Sequence, residues 1–530
     1  MKKQSFIKGS VILITSALIA KAIGALFKIP ITNMLGGLGM SCFSGAYGLF
    51  LPIYAVTANG LTTSAAKLTA ESCATGDYDG IRRIHKTALL MFSAMGIVGC
   101  LVIAILSVPF AEKAAVCPEA WLSVLMIAPS ALFGCITAVY RGVREGMSDM
   151  YPTALSQVIE SLVRLTAGLG LCHYVITHAE AVLSFLPKGT TIESAAAAAA
   201  VLGISLSTLV GTLFLRVSGT GLPKTAKRIK PDRKTAKALM KIFVPVALGA
   251  AAANLTTLID LGTMVRGLKK AYDSAPALFA DKYGLTDDTA PEFIYGSFMG
   301  LAVTVFNIVP SVTNMFGKSI LPLISACKAE GNTHGVKRLT EKVIAVTGFI
   351  ALPCGLGICA LSKEVLSFLF GDRTTECAVS WESLSILGIA VIFTCLSSTM
   401  FSCYQAAGRA DIPVKLMLTG AAVKLIGNLL LIPIPEINAS GAALSTLLCY
   451  AVIFTLSVLF YNKAASCKIS LKSLLPPLLS GILCAVTAFL VYPILPFGNM
   501  LSLPIAAACS GVVYLLAEIV SGGIKIFFTK

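Results

Sequence analysis

The residues that invite chemistry are the charged ones standing inside apolar stretches. Lys21 and Lys28 lie in SVILITSALIAKAIGALFKIPITNML, residues 10–35, a run long and apolar enough to cross a bilayer. Lys67, Arg164 and Lys424 occupy similar settings, and Glu160, Asp260 and Glu518 are the acids among them. An ionised group at the bilayer centre costs at least ~2.5–3.5 kcal/mol, so each needs a partner, a wet cavity or a short reach to the interface. Glu160 and Arg164 are four apart with the acid first, which predicts an ion pair along one helix. Lys67 stands near the end of its stretch with Glu71 four residues on, where its stem reaches the interface. Asp260 and Glu518 stand near the ends of theirs and are expected to reach water; Glu160 and Asp260 are candidates for charge pairing or ion coupling. Lys21 and Lys424 are deeper, with no acid three or four residues away. Lys28 follows Lys21 by two helical turns, on the same face and ~10 Å further along. Such a face, rich in cations, predicts a water-filled space that holds an anion and passes it stepwise along the helix.

The elements that must carry these residues are membrane helices. The chain has 530 residues, 56% hydrophobic and only 13% charged, with a mean hydropathy of +0.84. These values exclude a soluble globular protein. Apolar spans of about 20 residues recur along the whole length, as a ~30 Å hydrocarbon core demands of helices. Fourteen are expected, the first two at 10–34 and 46–70, the seventh at 241–263 and the last two at 473–495 and 503–525. Lysine and arginine concentrate in alternate connecting segments, which predicts cytoplasmic termini at both ends. The strongest basic run, with Lys224, Lys227, Arg228, Lys230, Arg233, Lys234 and Lys237 beside the single acid Asp232, reads as a linker lying on anionic phospholipids, not as a nucleic-acid site. Sixteen cysteines contain no CxxC pair, so no metal and no cofactor are expected.

Two segments repeat a pattern. VYRGVREGMSDMYPTALSQVIESLVRL and SCYQAAGRADIPVKLMLTGAAVKLIGN both run from an aromatic residue through a polar turn with glycine to a proline opening the next helix. Pro152 precedes Arg164 by twelve residues and Pro413 precedes Lys424 by eleven. The chain therefore divides, in expectation, into an N-lobe of six spans (1–216), the basic linker (217–240), a C-lobe of six spans (241–462) and two further helices (463–530).

With SALIAKAIGALFKIPITNMLGGLG, GLTTSAAKLTAE and AAGRADIPVKLMLTGAAVKLIGNLLLIP added to the first of those segments, the chain resembles the polysaccharide-transporter branch of the multidrug/oligosaccharidyl-lipid/polysaccharide exporter superfamily. Within it the similarity is to the sporulation-type group and the MurJ-type lipid II flippases. The resemblance implies an all-α polytopic fold with two six-helix lobes, MATE-like and MurJ-like, plus two extra C-terminal helices. It implies a bacterial plasma-membrane flippase working by alternating access on an undecaprenyl-diphosphate-linked saccharide or peptidoglycan precursor, in cell wall, spore cortex or polysaccharide biogenesis, with cell-wall synthesis enzymes as partners. Lys21 matches a basic residue needed for transport in MurJ-type members, while their second basic position falls at Phe27, with Lys28 one place later. Lys67, Arg164 and Lys424 match basic positions recurrent in the sporulation-type group. The diphosphate is expected on Lys21, Lys28, Lys67, Arg164 and Lys424. The alternative is a MATE-type multidrug/cation antiporter, which should carry buried carboxylates where the first span here has lysines. A membrane-bound transferase would need paired acids or histidines at a metal site. His85, His173, His178 and His334 are instead scattered, and Asp287-Asp288 stands without supporting ligands.

Overall fold

The computed structural model of the protein describes residues 6–187, 189–219, 221, 230–409, 411–464 and 469–523, and all its regular elements are helical. They fall into two compact units, Met1–Gly262 and Thr263–Lys530.

The first unit holds α1 (Phe6–Ala55), α2 (Thr62–Ala74), α3 (Tyr78–Ile105), α4 (Ser107–Lys113), α5 (Trp121–Gly146), α6 (Tyr151–Thr177), α7 (Ala179–Phe185), α8 (Ile192–Ser218), α9 (Arg233–Ala253) and the start of α10 (Leu255–Ser274). Helix α1 breaks at Gly36, whose φ of 62° and ψ of −169° belong to a region that only glycine occupies without strain. Beyond the break the chain runs on to Ala55, through a π-helical turn at Val56–Leu61, and into α2. The second span is thus an interrupted helix from 37 to 74, longer than the expected 46–70. Small residues set the packing. A Cβ on Gly203 of α8 would lie 2.4 Å from the Cα of Gly168 on α6, so these backbones touch, beside an alanine run at 195–200. Gly142 and Gly146 of α5 meet the carbonyls of Thr62 and Ala66 on α2 in the same way. Helix α9 belongs to this unit by its contacts: Phe243 packs on Gly60 and on Phe92, ring centroids 5.7 Å apart. Asp232 caps α9, and the backbone amides of Lys234 and Thr235, the latter donating at 3.3 Å, hold its carboxyl below the usual range.

The second unit continues with α11 (Pro276–Tyr283), α12 (Ala290–Ser297), a π-helical turn at Phe298–Ala302, α13 (Val303–Phe306), α14 (Ile308–Ala329), α15 (Thr333–Ala360), α16 (Ser362–Leu369), α17 (Thr374–Ala406), α18 (Asp411–Leu431), α19 (Ala439–Ala464), α20 (Leu475–Val491) and α21 (Asn499–Val520). Gly355 of α15 and Gly388 of α17 bring those helices to backbone contact. The last pair docks on α15, where the Tyr514 hydroxyl donates to the Phe349 carbonyl at 2.7 Å and Leu474 covers Gly348. Leu479, Leu483, Phe489, Leu501, Leu516 and Ile519 of this pair are exposed, as apolar side chains facing lipid should be.

Among the described residues twelve helical stretches are long and apolar enough to span a membrane, or thirteen if the pair α9–α10, bent by 43°, makes one span. The expected fourteen is not reached on this criterion. The first stretch, Thr15–Ala55, is 41 residues long and contains the Gly36 break, and at 1.5 Å per residue it measures about 60 Å, twice a bilayer core. The seventh span also differs from the expected 241–263: the helix is broken near Asn254 and continues to Ser274.

Candidate substrate-binding site

Helix α1 divides its residues between two stripes. Phe27, Ile31 and Leu35, spaced at one turn, are buried to 4%, 0% and 4% exposure and form the packed stripe. Phe27 lies against Gly168 of α6, where a Cβ would come within 2.7 Å of the ring. This position therefore has no room for a cation facing a cavity. Lys21, Gly24 and Lys28 make the other stripe. Lys21 is exposed, and a Cβ at Gly24 would meet nothing within 4 Å. Lys28 is half-buried, its Nζ 4.6 Å from the centroid of the Phe43 ring, a cation–π contact that fixes the ammonium beside the stripe. The two lysines thus share a face of α1 that is open at Lys21 and Gly24 and closed over Lys28 by Phe43. Since an ammonium turned to hydrocarbon is costly, the open part is where water or an anion belongs.

Helix α6 packs along α1, with Ser16 Oγ 3.5 Å from Gln157 Oε1. One turn on stands Glu160, and here the expected ion pair is overturned. Glu160 Oε1 lies 2.8 Å from Nη2 of Arg141 on α5, and both side chains are buried. The same guanidinium donates through Nε to Ser156 Oγ at 3.0 Å and hydrogen-bonds the Tyr54 hydroxyl of α1. Gly211 of α8 makes room, because a Cβ there would fall 2.2 Å from Glu160 Oε1. Arg164 is left without an ion pair among the described residues. It acts electrostatically on Tyr54, and its Nε is buried with no hydrogen-bond acceptor.

The remaining expected residues separate. Lys67 is exposed on α2 and makes no ion pair with Glu71 among the described residues. Lys424, in the second unit, is only 4% exposed on the buried face of α18, and Asn428 one turn on donates to Thr263 Oγ1 at 2.9 Å. Asp260 does not reach water: it is 8% exposed. Glu518 is fully enclosed at 0% exposure, against Ser480 of α20, because α20 covers the face of α21 that carries it. Lys224, Lys227 and Arg228 of the basic linker lie outside the described residues, whereas Lys230 and Arg233 onward lead into α9.

Two arginines that matter were absent from the expected set. Arg141 holds Glu160, and Arg144 closes the end of α8 by donating to the Gly219 and Ser218 carbonyls at 3.0 and 2.6 Å while pairing with Asp149 at 2.6 Å. Their signal was the alternation of charge and glycine in YRGVREG, residues 140–146, within which the glycines pack on α2 and the arginines turn to α6 and α8. Among the described residues no group of three His, Cys, Asp or Glu could hold a metal ion.

Residues 6–328 match the family model described as polysaccharide biosynthesis protein, and residues 297–507 match that of the lipid II flippase MurJ. Stage V sporulation protein B of Bacillus subtilis (strain 168) is 24% identical over 99% of this chain and 97% of its own length. The fold is similar to that of a lipid II flippase MurJ in an inward closed conformation, with a TM-score of 0.70 at 13% identity over 97% of this chain and 98% of that one. It is also similar to an inward-facing multidrug resistance MATE family transporter, with a TM-score of 0.61 at 14% identity over 86% and 96% of the two chains. The first match alone spans more than half of the sequence, and the chain is a multi-pass membrane protein that belongs to the polysaccharide biosynthesis protein family.

Proposed function

We propose that the chain is a flippase, not an enzyme, that moves an undecaprenyl-diphosphate-linked saccharide or peptidoglycan precursor across a bacterial plasma membrane by alternating access, with both termini cytoplasmic. The observation that carries this reading is the Lys21–Gly24–Lys28 stripe of α1, two cations two turns apart on a face open at Lys21 and Gly24. Phosphate oxygens accept charge-assisted hydrogen bonds from ammonium and guanidinium groups, and an apolar tail is at home in the surrounding lipid. Arg164 adds a third cation in the same unit, and Lys424 is assigned the same role in the second unit on the charge argument alone. Lys67, exposed near the end of a span, is assigned to first capture of the headgroup. A membrane potential negative inside drives an anion outward at ~2.3 kcal/mol per charge per 100 mV.

The MATE-type alternative shares the fold, but cation binding calls for an uncompensated carboxylate facing the cavity. On α1 the described charges inside the membrane are lysines, and Glu160 is spoken for by Arg141. The test is reconstitution of the purified protein in liposomes with a fluorescent polyprenyl-diphosphate-linked saccharide, comparing wild type with Lys21→Ala and Lys424→Ala. Loss of translocation in the variants supports the reading. Equal translocation by all three removes the phosphate-binding role, and uptake of cationic dyes in its place establishes the antiporter.

A further inference from the structure

In the first unit two arginines compete for one carboxylate. Glu160 and Arg164, one turn apart on α6, are placed to pair, yet the carboxylate is held by Arg141 of the neighbouring helix at 2.8 Å. That arrangement is held from several sides. Ser156 and Tyr54 fix the Arg141 guanidinium. Gly211 permits the Glu160 rotamer, since a side chain there would lie 2.2 Å from Oε1 and 2.5 Å from Cγ. Arg164 meanwhile keeps a buried Nε without an acceptor. Buried donors are almost always satisfied, and an orphaned one on a cation can donate a strong, charge-assisted hydrogen bond to an anionic acceptor.

We propose that Arg141 is a positioning residue that sequesters Glu160 and so keeps the Arg164 guanidinium available to the phosphate of the cargo; this rests on the phosphate-binding reading above. Arg141 does not touch the cargo. Its work is to prevent the neighbouring acid from neutralising the residue that does.

The test uses the purified full-length protein in detergent and farnesyl diphosphate as a short polyprenyl-diphosphate probe, with binding read by thermophoresis. Wild type binds. Arg164→Gln and Arg141→Gln each weaken binding about tenfold or more, the second because Glu160 turns to Arg164. The double variant R141Q/E160Q removes the competing acid and returns affinity to within about threefold of wild type, a rescue that a merely structural role would not produce. A single R141Q variant that binds like wild type, or a double variant as weak as R141Q alone, overturns the proposal. If R141Q does not survive purification, the double variant decides, because it removes both charges of the Arg141–Glu160 pair together. Near-wild-type affinity then supports the proposal, and a loss of tenfold or more overturns it by making Arg141 itself the phosphate ligand. Failure of wild type to bind the probe is a separate outcome that removes the phosphate reading and this inference with it.

Discussion

Replacing Glu160 by alanine leaves the Arg141 guanidinium buried with its Ser156 and Tyr54 contacts but without the counter-ion 2.8 Å away. At an effective dielectric of 20, two unit charges at that distance attract by about 6 kcal/mol. Part of the loss is recovered when the longer side chain relaxes toward Glu145 or water, so the expected destabilisation is about 3–5 kcal/mol, the range found when one partner of a buried pair is removed. Replacing both partners with methionine removes the charge along with the need for it, and stability should return to within about 1–2 kcal/mol of wild type. The assay is denaturant unfolding of the detergent-solubilised protein followed by intrinsic fluorescence, with Glu160→Ala, Arg141→Met and R141M/E160M compared as a cycle. An E160A protein within about 1 kcal/mol of wild type would refute the reasoning, because a buried and uncompensated arginine cannot be that cheap. So would a double variant less stable than either single one.

Three further outcomes follow from the same geometry. Gly36→Ala places a side chain at φ 62°, ψ −169° in the break of α1 and should cost about 1–3 kcal/mol, read as a lower unfolding midpoint; an unchanged midpoint would mean that the break is not a glycine conformation. Gly142→Ala drives a methyl group to 2.6 Å from the Thr62 carbonyl and 2.7 Å from Ala65 Cβ, so α2 must move off α5 at a cost of about 1–3 kcal/mol, and full stability in this variant would contradict the close approach. Glu518→Gln should be neutral or stabilising by about 1 kcal/mol, since the carboxylate is enclosed with no ion pair among the described residues; a loss of several kcal/mol would instead reveal a salt bridge.

How far the sequence carried the reading depends on the range of the physics involved. Span length and hydropathy are local properties, and they located nearly every helix, including the apolar pair after 463. Helical periodicity is local too, which is why Lys21 and Lys28 could be placed on one face of the helix. Partner choice is not local. Periodicity offers Glu160 only neighbours three or four residues away, and so named Arg164; Arg141 lies nineteen positions back on another helix, and Gly211 on a third helix clears the space that Glu160 occupies beside it. Depth from a helix end misled in the same way at Glu518, where the covering helix α20, not distance along α21, decides access to water. The second span was misjudged because a glycine break followed by a π-helical turn leaves no mark in hydropathy.

The central claim is that the cationic stripe of α1 acts by its charge on an anionic headgroup. Its most direct measurement is translocation of a fluorescent polyprenyl-diphosphate-linked saccharide in proteoliposomes by two double variants, K21Q/K28Q and K21R/K28R. The glutamine pair is expected to abolish translocation, and the arginine pair to retain it. Translocation by the glutamine pair at the wild-type rate would contradict it.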